Sequence, residues 1–199
     1  VYRVVTTGAL SITPASITVT ANGGTSVYGS SPTNPGISAT GLQNGEDVSV
    51  LTGLSNSFGI TSTSSVGNSP YTLSVNGTLT NGNYSITTRN SGTWTVTPAS
   101  ITVTANGGTS VYGSSPSNPG ISATGLQNGQ DISVLTGLSN SFGITSTSSV
   151  GSSPYTLSVS GTLTNGNYNI IMLIAPFFMM VAFGLMMGVK RGESVASNQ

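Results

Sequence analysis

The sequence predicts a mainly β chain: two tandem small β domains, sandwich or β-grasp-like, followed by a C-terminal hydrophobic, transmembrane helix. Three observations carry this. The stretch Thr13 to Ile86 returns as Thr97 to Ile170, an offset of 84 positions (Pro98 against Pro14) with six differences: Thr33/Ser117, Glu46/Gln130, Val48/Ile132, Asn68/Ser152, Asn76/Ser160 and Ser85/Asn169. Within each copy, short runs alternate apolar and polar residues between Gly and Asn turns. After Ile170 the chain runs to Val189 without a charge. A period of 84 exceeds the roughly 20 to 50 residues of a solenoid coil and suits small self-contained domains in a string.

The expected boundaries are 1–14 as the end of a preceding repeat, 15–98 as the first repeat, 99–170 as the second, and 171–199 as a hydrophobic helix with a short basic tail. The N-terminal remnant rests on Tyr2-Arg3-Val4-Val5-Thr6-Thr7-Gly8 and Leu10-Ser11-Ile12-Thr13-Pro14, a shorter version of Tyr84 to Pro98. Pro14 and Pro98 mark the junctions, because proline gives no N–H to a ladder and stiffens the joint.

Inside the first repeat, Ile17-Thr18-Val19-Thr20-Ala21 has the period of a strand with one buried face, ended by Asn22-Gly23-Gly24. Val27-Tyr28-Gly29 and Pro32 to Pro35 read as a compact loop. Ile37-Ser38-Ala39-Thr40 is a second strand, closed by Gly41. Glu46 to Leu51 satisfies neither period and is left open between a strand and a short helical turn. Tyr71 to Val75, Tyr84 to Ile86 and Trp94 to Val96 complete about six strands, with Asn76-Gly77 and Asn81-Gly82 supplying turns.

The second repeat lacks an equivalent of Trp94-Thr95-Val96-Thr97-Pro98. Ile170 to Val189 spans about 30 Å as a helix, enough for a bilayer core, and Lys190-Arg191 follow on the side that positive-inside topology assigns to the cytoplasm. The competing reading lets Ile170 to Ala175 replace the missing strand, with Phe177 to Val189 a buried helix.

Composition narrows function. Charged residues are 4% of the chain, against about 25% in ordinary globular proteins, and the net charge is zero, so nucleic acid is not an expected partner. No His and no Cys are present, which removes the usual proton shuttle, thiolate chemistry and the commonest metal ligands. Asp47 and Asp131 follow turns; Ca²⁺ demands clustered carboxylates, and Asp131 is the only charge in the second repeat, so a turn or helix-cap role is expected for both. Ser is abundant but has no base to activate it. No catalytic, metal or cofactor-binding residue is expected. Trp94, Tyr28 and Tyr112 offer faces for a sugar or protein ligand; the preferred readings put Trp94 in the core and have Tyr28 plug the end of its own domain. Asn76-Gly77-Thr78 and Asn83-Tyr84-Ser85 match a glycosylation sequon with no further support.

One ordered series remains: Ile17-Thr18-Val19-Thr20-Ala21, Val27-Tyr28-Gly29, Thr40-Gly41-Leu42 with Asn44-Gly45-Glu46-Asp47, Val66-Gly67 before Tyr71, Gly77-Thr78-Leu79, Asn83-Tyr84, and Gly92-Thr93-Trp94-Thr95-Val96-Thr97-Pro98-Ala99. It resembles the MBG repeat, YGX type, of bacterial surface adhesins, over essentially Tyr2 to Ile170. The resemblance implies tandem β modules in large exported proteins of the filamentous-haemagglutinin kind, serving as stalk or adhesive repeats, and brings no catalytic residues. Function is accordingly expected to be a non-catalytic stalk or spacer at the bacterial surface, or else a multivalent module for a glycan or protein. Expected partners are neighbouring repeats, a host or matrix glycan or protein, and the membrane through the C-terminal helix.

Overall fold

The structure is a computed structural model that describes Arg3 and residues 7–171. The expected membrane helix, from residue 172 onward, lies outside the described residues; among those described, no helix is long and apolar enough to cross a membrane. The described chain is mainly β.

The first repeat contributes β1 (Ala15–Ala21), β2 (Gly24–Val27), β3 (Ile37–Thr40), β4 (Leu54–Asn56), β5 (Tyr71–Leu73), β6 (Val75–Gly77), β7 (Tyr84–Asn90) and β8 (Gly92–Thr97). β1 lies between β3, antiparallel, and β7, parallel. Its alternation is that of the sequence: Ile17, Val19 and Ala21 are buried while the residues between them are not. β8 lies between β2, parallel, and β5, antiparallel, and turns Trp94 and Val96 inward. A β4–β6 pair completes the repeat. Both three-stranded sheets feed one apolar cluster containing Ile17, Val19, Leu73, Trp94 and Val96.

Two expectations are corrected. Residues 24–27 form a strand and not only a loop, because β8 supplies a parallel partner from about seventy positions away: Gly24 opposite Trp94 and Val27 opposite Thr97. Tyr71 to Val75 is two strands, β5 and β6, bonded to different partners. The segment left open, Glu46 to Leu51, contains a single 3₁₀ turn at Val48–Val50.

The second repeat contributes β9 (Ala99–Ala105), β10 (Ile121–Thr124), β11 (Leu138–Asn140), β12 (Val159–Gly161) and β13 (Tyr168–Ile170). The sheet β10-β9-β13 and the pair β11–β12 reproduce β3-β1-β7 and β4–β6. Nothing described reproduces β2-β8-β5. Residues 108–111 and 155–157, the counterparts of β2 and β5, are irregular, and Val111 and Tyr155 are exposed. A strand of the β8 kind is what orders both neighbours.

Candidate functional site at the junction and the open edge

Asp47 and Asp131 take the capping role. Each accepts the backbone N–H two residues on, Ser49 at 2.8 Å and Ser133 at 2.9 Å, at the start of a 3₁₀ turn. Hydrogen bonds from the serine side chain and then its backbone hold both carboxyls below the usual carboxylate range. Among the described residues, no three of His, Cys, Asp and Glu come together.

Trp94 is core. Its ring meets Phe58 edge-on at 5.0 Å, and its indole N–H donates to Ser26 Oγ at 2.9 Å. Gly24 lies against the ring so closely that a Cβ there would come within 2.5 Å of it. Asn76 and Asn83 are exposed.

Tyr28 does not simply close its own repeat. Only 6% exposed, it sits edge-on against Tyr168 of the second repeat at 5.5 Å and 83°, and its hydroxyl reaches Gln130 Oε1 at 3.5 Å. Around it, Asn167 Oδ1 accepts from the Val66 N–H at 2.9 Å and the Ser65 hydroxyl at 3.1 Å, while Asn128 Nδ2 donates to the Ser62 carbonyl at 3.0 Å. Pro98 alone separates β8 from β9. A stiff covalent joint and a polar ring around one aromatic plug therefore fix the two repeats together. Asn128, Gln130 and Asn167 were missed as junction residues. Gln130 had a faint signal, being one of six positions where the copies differ; Asn128 and Asn167 are identical to Asn44 and Asn83 and had none.

Tyr112, the counterpart of Tyr28, is 67% exposed. Beside it, where the first repeat holds β8, the described residues of the second repeat leave a groove of about 470 Å³ lined by Gly108, Tyr112, Phe142, Ile144, Tyr155 and Leu157 among others. At the opposite end of the molecule a smaller cavity of about 300 Å³ is lined by Ile12, Gln43, Glu46, Asn83 and Tyr84. The last four are counterparts of Gln127, Gln130, Asn167 and Tyr168, the surface that receives Tyr28 at the internal junction. Tyr84 donates its hydroxyl to Glu46, and that bond raises the phenol's pKa above its ordinary value.

No curated protein and no solved structure matches the chain. The family model described as the MBG domain (YGX type) matches it twice, over residues 17–95 and 101–175. Those two spans make up well over half of the sequence and coincide with the two copies of the fold, and the chain belongs to the MBG domain (YGX type) family.

Proposed function

We propose that these repeats are a non-catalytic spacer in a bacterial surface adhesin, holding a distal part of the protein away from the cell. The observation that carries this reading is the junction: a single proline between strands, with Tyr28 seated on Tyr168 and Asn167 bridging to residues 65 and 66. A chain that needed only a flexible tether would join its domains with a Gly- or Ser-rich linker. Family membership supports a structural repeat. The polar, nearly uncharged surface suits a part that must stay hydrated without attracting counter-charged partners.

The alternative, a weak ligand site repeated in each copy for multivalent adhesion, finds less support. The groove of the second repeat has no open counterpart in the first, where β8 fills it. Small-angle scattering on chains carrying increasing numbers of complete repeats tests the spacer. Maximum dimension growing by a constant increment per repeat is expected; dimensions that scale as for a flexible string would overturn it.

A further inference from the structure

We propose that the first repeat is a mechanical clamp: its opening and closing strands are paired so that tension along the chain shears the whole ladder between them at once. Load bearing of this kind belongs to the fold of a single repeat and does not depend on the spacer reading.

The clamp is a seam between the two ends of the repeat. β1 and β2 make one bent strand at its start, interrupted only at Asn22-Gly23, and β7 and β8 make one at its close, interrupted only at Ser91. The two run parallel throughout. Ala15 to Thr20 lie beside Tyr84 to Asn90, with a bulge after Ile17, and Gly24 to Val27 lie beside Trp94 to Thr97. Where both strands pass from one sheet to the other, their backbones stay in contact: a Cβ at Gly23 would lie 2.1 Å from the Thr93 carbonyl oxygen, and one at Gly92 2.2 Å from that of Ala21. Glycine at both bends keeps the seam continuous. Backbone bonds close it at each end, Ala15 N–H donating to the Asn83 carbonyl at 2.9 Å and Tyr28 N–H to the Thr97 carbonyl at 2.8 Å.

Direction decides what tension does to such a seam. In a parallel pair the N-terminal end of the first strand and the C-terminal end of the last lie at opposite ends of the ladder, so pulling at Pro14 and Pro98 slides one strand along the other. Every bond is strained together. An antiparallel pair would place the two pulled ends side by side, and its bonds would peel one at a time. Resistance to force follows the unfolding barrier and not the equilibrium stability, so a small repeat with no Cys can still carry load.

Side chains staple the same seam. The Thr87 hydroxyl donates to the Ile17 carbonyl at 3.0 Å, Asn90 Nδ2 to Thr20 Oγ1 at 3.3 Å, the Trp94 indole N–H to Ser26 Oγ at 2.9 Å, and the Thr97 hydroxyl to the Ser26 carbonyl at 3.3 Å. The junction adds no slack. β8 ends at Thr97 and β9 begins at Ala99, so tension leaving the first repeat enters the second through Pro98 alone. There the described residues start a seam of the same kind, Ala99 to Ile101 parallel to Tyr168 to Ile170.

Single-molecule force spectroscopy on the full chain in a mild detergent tests the clamp. Because the chain has no Cys, pairs of exposed serines can be replaced to serve as handles. Ser11→Cys with Ser100→Cys applies force to opposite ends of the seam; Ser31→Cys with Ser100→Cys applies it beyond Val27 and Thr97, at one and the same end. The first pair should give an unfolding force several-fold higher than the second. Thr87→Val with Asn90→Ala, which removes two staples, should lower the first force and leave the second unchanged, since peeling begins at the other end. Thr52→Val, which breaks the hydroxyl pair with Thr80 away from the seam, should leave the first force unchanged. Equal forces from the two handle pairs, a shear force indifferent to the loss of both staples, or one lowered as much by Thr52→Val would overturn the proposal. The handle comparison needs no weakened variant, and the scattering test of the spacer reads length, not force.

Discussion

Amides and hydroxyls set most of the specific side-chain contacts among the described residues, with Arg89, Glu46, Asp47 and Asp131 adding a few. Asn56 is buried and its Nδ2 donates to both the Asn22 and Gly36 carbonyls, at 2.9 and 2.8 Å, tying the end of β1 to the loop before β3. Asn140 does the same for Asn106 and Gly120. Asn56→Asp keeps the shape but replaces both donors with a carboxylate facing two carbonyls. A loss of about 3 kcal/mol or more is expected in urea unfolding, since a buried unpaired charge exceeds the cost of a lost neutral bond. Among the described residues, three groups shape the pH profile. Asp47 and Asp131 have folded pKa values lowered by their Ser partners, so their contribution is complete above about pH 4 and is lost as pH falls through the lowered values. Tyr84 is raised by its bond to Glu46, so its contribution is present below about pH 10 and is lost as pH climbs through the raised value. With no His to titrate between, unfolding midpoints should stay level from about pH 5 to 9 and decline at both ends. Glu46→Gln should leave the neutral midpoint unchanged, because Gln130 already accepts the Tyr168 hydroxyl in the second repeat.

At the scale of elements, what was legible were strands whose own side chains alternate and whose burial is local. β1, β3 and β8 were read correctly from Ile17-Val19-Ala21, Ile37-Ala39 and Trp94-Val96. β2 carries a single apolar residue in Gly24-Thr25-Ser26-Val27 and is a strand only because β8 returns beside it, so no short window could reveal it. The same dependence makes the second repeat weaker. Val103 and Ala105 are half-buried where Val19 and Ala21 are buried, and among the described residues no counterpart of Trp94 covers them. A buried Trp alone covers 150 to 250 Å², about 4 to 6 kcal/mol at about 25 cal/mol per Å². Hydrogen exchange should therefore protect β1, β7 and β8 better than β9 and β13. Trp94→Ala should cost about 3 to 5 kcal/mol in the first repeat and bring its protection down towards that of the second. Equal protection in the unmodified chain would show that β8 is not what separates the repeats.

Across the whole molecule the repeats are coupled through a contact that belongs to neither alone. Its position was not legible in the sequence: Tyr28 and Tyr112 have identical neighbours, Val27 and Gly29 against Val111 and Gly113, yet one is buried and the other exposed. What differs among the described residues is that the second repeat stands against Tyr28, while Tyr112 is left exposed. The coupling can be isolated because Trp94 is the chain's only tryptophan and reports on the first repeat. In a double-mutant cycle, Tyr28→Ala removes the ring that meets Tyr168, and Asn167→Ala removes the acceptor of the Val66 and Ser65 bonds. Each lies at the contact, so each should lower the unfolding midpoints of both repeats, by about 1 to 2 kcal/mol. The pair together should cost less than the sum, since once the junction has opened the second change has little left to remove. Tyr112→Ala is the control: its ring is exposed among the described residues, and the midpoint should not move. Strict additivity of Tyr28→Ala and Asn167→Ala, or a first repeat insensitive to Asn167→Ala by tryptophan fluorescence, would mean that the repeats are beads on a string and that only Pro98 holds their direction.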